Sequence, residues 1–135
     1  MLVWIGAVAL GAGALALALT ATTTSAATST TVTISSTGCS GTLYCFKPGS
    51  LTITDGTTVL WSNSTAAPHT VTRSTSAACR GNGPGSGTAS TFTNGSIAAN
   101  GSFSHTFHGV GTYNYYCQIH GYSVMHGTIT VKAPK

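Results

Sequence analysis

With 135 residues the chain has room for one domain and not for two of ordinary size. Only 4% of it is charged, and the positives Lys47, Arg73, Arg80, Lys132 and Lys135 face a single acid, Asp55. They form no stripe or patch, so the net charge of +4 gives no case for a nucleic-acid partner, and a Ser, Thr, Asn and Gly surface suits an extracytoplasmic β-protein better than a cytosolic enzyme.

Residues Leu2 to Leu19 are apolar or small throughout, with Trp4 as the only aromatic. Such a run reads as a signal-peptide core or an N-terminal membrane anchor. Ser25, Ala26 and Ala27 offer a cleavage site, no Lys or Arg precedes the run, and cleavage and retention both stay open. Residues 1–27 are assigned to this segment, which puts the remainder outside the cytoplasm. Cys39 is too far from it, and lacks the preceding aliphatic residue, to act as a lipidation site. Thr20 to Thr31 has no hydrophobic period, and residues 28–38 are expected as a Thr/Ser-rich linker leading into the first strand. The folded domain is expected over 39–135.

From Val32 onward, short runs of Thr, Val, Ile, Tyr and Phe are punctuated by Gly, Asn, Pro and Ser, the pattern of an all-β sandwich. Strands are predicted near Thr31–Ser36, Thr42–Phe46, Ser50–Thr54, Thr57–Asn63, His69–Arg73, Gly101–Phe107, Gly111–Cys117 and Gly127–Lys132. Asp55-Gly56 is a tight-turn signal and predicts a hairpin between the third and fourth. Leu51 and Ile53 alternate with threonines, Val59 and Trp61 repeat the alternation, and Tyr113, Tyr115 and Cys117 share a face. Ser74 to Ser90, rich in Gly and Ser around Pro84, predicts a long surface loop.

The densest chemistry lies in Cys117-Gln118-Ile119-His120-Gly121-Tyr122-Ser123-Val124-Met125. A thiolate, an imidazole and a thioether within one short loop are soft and borderline donors of the kind that suits copper in both oxidation states. His69, between two strand-like runs, supplies a second imidazole. Two His, one Cys and a weak axial Met are the donor set of a blue-copper electron-transfer site. His105 and His108, three apart on a strand, point to opposite faces and cannot chelate together. His126 points away from its neighbour Met125 and is expected at the surface. One Cys in the loop excludes a binuclear copper centre, and the lack of His-x-His pairs excludes a trinuclear one.

The chain resembles the plastocyanin-type cupredoxins, small proteins with a type 1 (blue) copper centre. Beyond that loop, the resemblance rests on Phe46-Lys47-Pro48, Val59-Leu60-Trp61-Ser62-Asn63, Ala67-Pro68-His69-Thr70-Val71, Gly111-Thr112-Tyr113-Asn114-Tyr115-Tyr116-Cys117 and Met125-His126-Gly127-Thr128-Ile129. It implies an eight-stranded Greek-key β-sandwich holding one copper ion through His69, Cys117, His120 and Met125. It further implies a one-electron carrier, not an enzyme, that docks redox proteins transiently near His120. Ala66, Ala67, Pro68, Tyr122 and Val124 flank the donors and offer an apolar rim, and Tyr116 matches a position thought to give a second route to the metal. Two departures stand out. Thr70 replaces an Asn that often ties the two donor loops together, and a chain whose only acid is Asp55 has no acidic docking patch, so photosynthetic partners do not carry over.

Setting Cys117 aside leaves Cys39, Cys45 and Cys79, enough for one disulfide, and an exported domain favours forming it. Cys39–Cys45 is the local choice, and pairings with Cys79 stay open. Two other functions compete with the electron relay. One is copper delivery or storage, disfavoured by the lack of Met- or His-rich tracts; the other is a metal-free interaction module, disfavoured by the full donor set. A monomer is expected, with membrane association only through the N-terminal segment.

Overall fold

The computed structural model describes residues 27–74, 92 and 96–135. The apolar N-terminal run, Cys79 and the predicted loop after Ser74 lie outside the described residues. Eight strands appear among those described: β1 Ser29–Ser35, β2 Cys45–Lys47, β3 Ser50–Thr54, β4 Thr58–Asn63, β5 Thr72–Arg73, β6 Ser102–Thr106, β7 Gly111–Tyr116 and β8 His126–Lys132. They form two four-stranded sheets in the orders β2-β1-β4-β6 and β3-β8-β7-β5. The expected all-β, eight-stranded sandwich is therefore the observed one.

Period-two alternation drives the packing. In β4 and β8 every second residue is buried, so Val59 and Trp61 from one sheet and Ile129 and Val131 from the other meet in the core. Tyr113, Tyr115 and Cys117 join them with no exposed surface, as their shared face predicted. Each fully buried large apolar side chain contributes roughly 1.5–3 kcal/mol. Trp61 lies at the centre of an aromatic cluster, stacked on Phe92 and Phe103 and edge-on to Tyr115. Tyr115 needs a glycine opposite it: a Cβ on Gly127, its partner in the β7–β8 register, would lie 2.5 Å from the phenol ring carbon and oxygen.

Three expectations are corrected. The Thr/Ser stretch expected over 28–38 as a linker leading into a strand near Thr31 is already strand from Ser29, and Ser29 to Ile34 of β1 pair in parallel with Thr58 to Asn63. Its outer half is polar because Ser29 and Thr31 face solvent, and the apolar signal begins only at Val32. Strands β3 and β4 do not form a hairpin; β3 pairs with β8 and β4 with β1 and β6. Asp55-Gly56 does make a tight turn, with Gly56 at φ 85° and the Thr57 N–H donating to the Thr54 carbonyl at 3.1 Å. That turn carries the chain from one sheet to the other. It is pinned there because the Asp55 N–H donates to the Lys132 carbonyl, the Gly56 N–H to that of Phe107, and the Gly109 N–H to the Asp55 carboxylate at 2.7 Å.

The third correction concerns the run from His69 to Arg73, where regular pairing is confined to Thr72–Arg73 and His69 makes an isolated bridge to Ile97. The Thr70 N–H turns towards the Cys117 sulfur instead of a strand partner, which breaks the ladder beside the donor groups.

Candidate metal centre

Strand β7 ends on Tyr116, and the next residue, Cys117, begins the donor loop. The Cys117 N–H donates to the Met125 carbonyl at 3.0 Å, closing the neck of the loop where β7 and β8 separate. Inside it, the Gly121 N–H donates to the Cys117 carbonyl at 2.9 Å and the Met125 N–H to that of Gly121 at 3.0 Å. Gly121 turns at φ 80°, a region that a residue with a Cβ rarely enters. One hydrogen-bonded loop thus delivers Cys117, His120 and Met125. His69 arrives from the β4–β5 connection, held by reciprocal backbone bonds to Ile97 of 3.0 and 2.6 Å.

These parts converge. Cys117 Sγ lies 3.3 Å from His120 Nδ1 and 3.8 Å from His69 Nδ1, and all three donor atoms fall within 4.8 Å of one another. Two donors each about 2.0–2.3 Å from a shared ion in a tetrahedral arrangement lie about 3.5 Å apart, so this spacing fits a single small metal ion. Cys117 and His69 have no exposed surface, Met125 has 1%, and His120 is half-buried. The structure pairs Cys39 with Cys45 in a disulfide and leaves the Cys117 thiol free. A buried free thiol flanked by two imidazoles is a soft donor set of the kind copper prefers.

The hydrogen bonds around His69 decide which nitrogen faces the thiol. Its Nε2 lies 2.9 Å from the Thr65 hydroxyl, and that hydroxyl donates to Asn63 Oδ1 at 2.8 Å. With its proton committed to Asn63, the hydroxyl accepts from Nε2–H, which leaves the lone pair on Nδ1 towards Cys117. Asn63 is fixed in turn, its amide donating to the carbonyls of Ala67 at 2.8 Å and Ala98 at 2.9 Å. Burial, and secondarily the charge of His120, lower the His69 pKa from 6.5 to about 4, so the ring is neutral at ordinary pH. Thr70 ties the two donor segments together: its N–H points at Cys117 Sγ (3.4 Å) and its hydroxyl accepts from the Gln118 N–H at 2.8 Å. The replacement of Asn by Thr therefore retains the link.

Three residues around the site escaped the sequence reading. Thr65 and Asn63 orient His69, and Tyr44 packs its ring against both imidazoles, 4.7 Å from His69 and 4.8 Å from His120 between centroids. The aromatic beside Cys45 was the only sequence signal for Tyr44. Of the apolar rim expected from Ala66, Ala67, Pro68, Tyr122 and Val124, Val124 is an exposed large apolar side chain, and Leu43 and Ile119, next to Tyr44 and His120 in sequence, are exposed as well. His105 lies against Phe92 and Phe107, and His126 stacks on Tyr122 at the surface, so neither joins the donor cluster.

A family model for copper binding proteins of the plastocyanin/azurin family matches residues 29–132. The chain belongs to that family. Copper is its cofactor, and the family assignment makes it a copper-binding electron carrier. Solved structures agree with the fold of this cupredoxin. A purple cupredoxin from Nitrosopumilus maritimus is 25% identical with a TM-score of 0.59, over 76% of this chain and 98% of that one. An amicyanin variant in its Cu(I) form is 25% identical with a TM-score of 0.55, over 81% and 85%. An oxidized amicyanin variant, 23% identical with a TM-score of 0.55 over 76% and 80%, supports the fold alone. Among curated protein sequences none matches.

Proposed function

We propose that His69, Cys117, His120 and Met125 hold one copper ion in a type 1 centre, and that this cupredoxin relays single electrons between redox proteins outside the cytoplasm. The observation that carries the reading is the convergence of a buried, unpaired thiol and two imidazole nitrogens within 4.8 Å. Bound copper supplies the one-electron couple between Cu(I) and Cu(II).

The protein supplies the rest. Cys117 gives up its proton on loading, and the Thr70 N–H directed at the sulfur favours the thiolate that remains. The Thr65 bond to Nε2 presents Nδ1 of His69 already deprotonated. A closed loop on a rigid sandwich limits how far the donors move when the charge changes. Met125, which would complete the donor set in this reading, is buried at the neck of the same loop. Half-buried His120 offers the electron its short path to solvent, and the rim of Leu43, Ile119 and Val124 is enough for the small interfaces of transient redox encounters. An oxidising compartment is supported by the Cys39–Cys45 disulfide. The N-terminal run then serves as signal or anchor, and the working unit is a monomeric carrier with neither catalytic site nor nucleic-acid partner.

Replacing the thiol tests the assignment. Copper-loaded protein should be intensely blue with a reversible one-electron couple, and Cys117→Ser should lose the colour. A blue Cys117→Ser variant would sink it. Rapid oxidation by cytochromes in stopped flow separates a relay from a delivery protein, which instead would pass copper to chaperones.

A further inference from the structure

The segment between Cys39 and Cys45 supplies no donor atom, yet it touches the centre. Gly38 just before it and Gly41 within it turn the chain at φ 63° and 74°, and the disulfide closes the segment across a sequence separation of 6. At its far end Cys45 opens β2, paired with Ser35 of β1, and the Thr42 hydroxyl donates to the Tyr44 carbonyl at 3.0 Å. Tyr44 is therefore held by a covalent bridge and a strand at once, immediately before the sheet begins.

Its ring meets His69 nearly edge-on, at 75°, and His120 at 52°. The two imidazoles lie 4.8 Å apart at 33°, so the three rings form a compact triangle over the sulfur of Cys117. His69 has a second restraint in Thr65, whereas the side-chain contacts described for His120 are Tyr44, Tyr44's neighbour in the triangle His69, and Cys117. His120 is the more exposed of the two imidazoles and the one with least else to hold it. An aromatic pair contributes about 0.5–1.5 kcal/mol beyond its burial, enough to bias a ring between two orientations.

We infer that Tyr44 is a positioning residue of the metal centre: the disulfide-closed loop presses its ring on both imidazoles and keeps His120 in one orientation as the site changes charge. The consequence for electron transfer rests on the copper reading above; the orientation itself does not. The contacts run from ring to ring, so a phenyl ring serves as well as a phenol, and an aliphatic side chain of similar bulk does not.

The first test uses metal-free protein and the imidazole proton–nitrogen NMR signals of His69 and His120. Tyr44→Leu should shift and broaden the His120 signals most, and Tyr44→Phe should restore sharp signals. Opening the disulfide of the wild-type chain with a phosphine, still without metal, should move the same signals in the same direction and requires no substitution that risks misfolding. In copper-loaded protein, Tyr44→Leu should slow electron self-exchange by about tenfold, the lower end of what lost support around a metal site costs, and Tyr44→Phe should not. His120 signals and a self-exchange rate in Tyr44→Leu that match the wild type would overturn the inference. A wild-type protein that binds no copper would overturn the relay instead, while the metal-free spectra still decide the role of Tyr44.

Discussion

Thr65→Val removes one oxygen from the support of His69 and keeps the side chain's shape. The hydroxyl accepts from His69 Nε2–H at 2.9 Å and from the Ala67 N–H at 3.2 Å, and it donates to Asn63 Oδ1. Asn63 Oδ1 keeps the Thr65 N–H at 3.0 Å, so it is not orphaned. His69 Nε2–H is, because the ring has no exposed surface through which water might replace the lost partner. An unsatisfied buried donor costs about 1–3 kcal/mol, and the loosened Ala67 N–H adds a smaller amount, so metal-free Thr65→Val should lose about 2–3 kcal/mol in urea unfolding. The tautomer that offers Nδ1 also loses its advantage. Copper affinity, measured by competition with a chelator, should fall about 10–100-fold, as for other lost partners of metal-bound His. Thr65→Ser, which keeps the hydroxyl, should recover most of both. Unchanged stability and affinity in Thr65→Val would refute the claim that this hydroxyl holds the ring.

The lowered pKa of His69 predicts an acid-sensitive metal-free protein. Its folded-state value of about 4 lies below the 6.5 of an unfolded chain, so the contribution is complete above pH 6.5 and is lost as pH falls towards 4. The loss is readable as a falling urea midpoint across this window, and a flat profile would count against it. Gly127→Ala should cost about 1–3 kcal/mol by driving a methyl into the Tyr115 ring, and chemical denaturation with an unchanged midpoint would contradict the close approach. Asp55→Ala removes the charged acceptor of the Gly109 N–H at the sheet-to-sheet turn. It should cost about 1.5–3 kcal/mol and leave the copper absorption untouched, and a changed spectrum would show that this turn and the metal centre are not independent.

Cys117, His120 and Met125 were legible as a group because nine residues of one loop bring them together whatever the rest of the chain does. Strand positions were legible from alternation, which is why Ser50–Thr54 falls where it was expected. Partner choice was not. Asp55-Gly56 encodes a reversal of direction, but nothing local states whether the next strand joins the same sheet or the opposite one. The polar start of β1 hid its first two residues, Ser29 and Thr30, because a sheet position that faces water has no need of apolar residues. Thr65 and Tyr44 were invisible for a related reason. Each acts on a histidine through an ordinary contact that exists only once separate segments meet, and neither residue type announces it.

The hydrogen bond from the Cys117 N–H to the Met125 carbonyl makes the donor loop a cassette with a sealed base. Residues between Gly121 and Val124 can be lengthened or exchanged without pulling β7 from β8, because the seam is closed beneath them. Three of the four proposed donors travel with that cassette, and only His69 belongs to the body of the sandwich. Grafting another loop onto Cys117 and Met125 would thus retune the metal while the two-sheet frame stayed as it is, and the fit to His69 would set which grafts work.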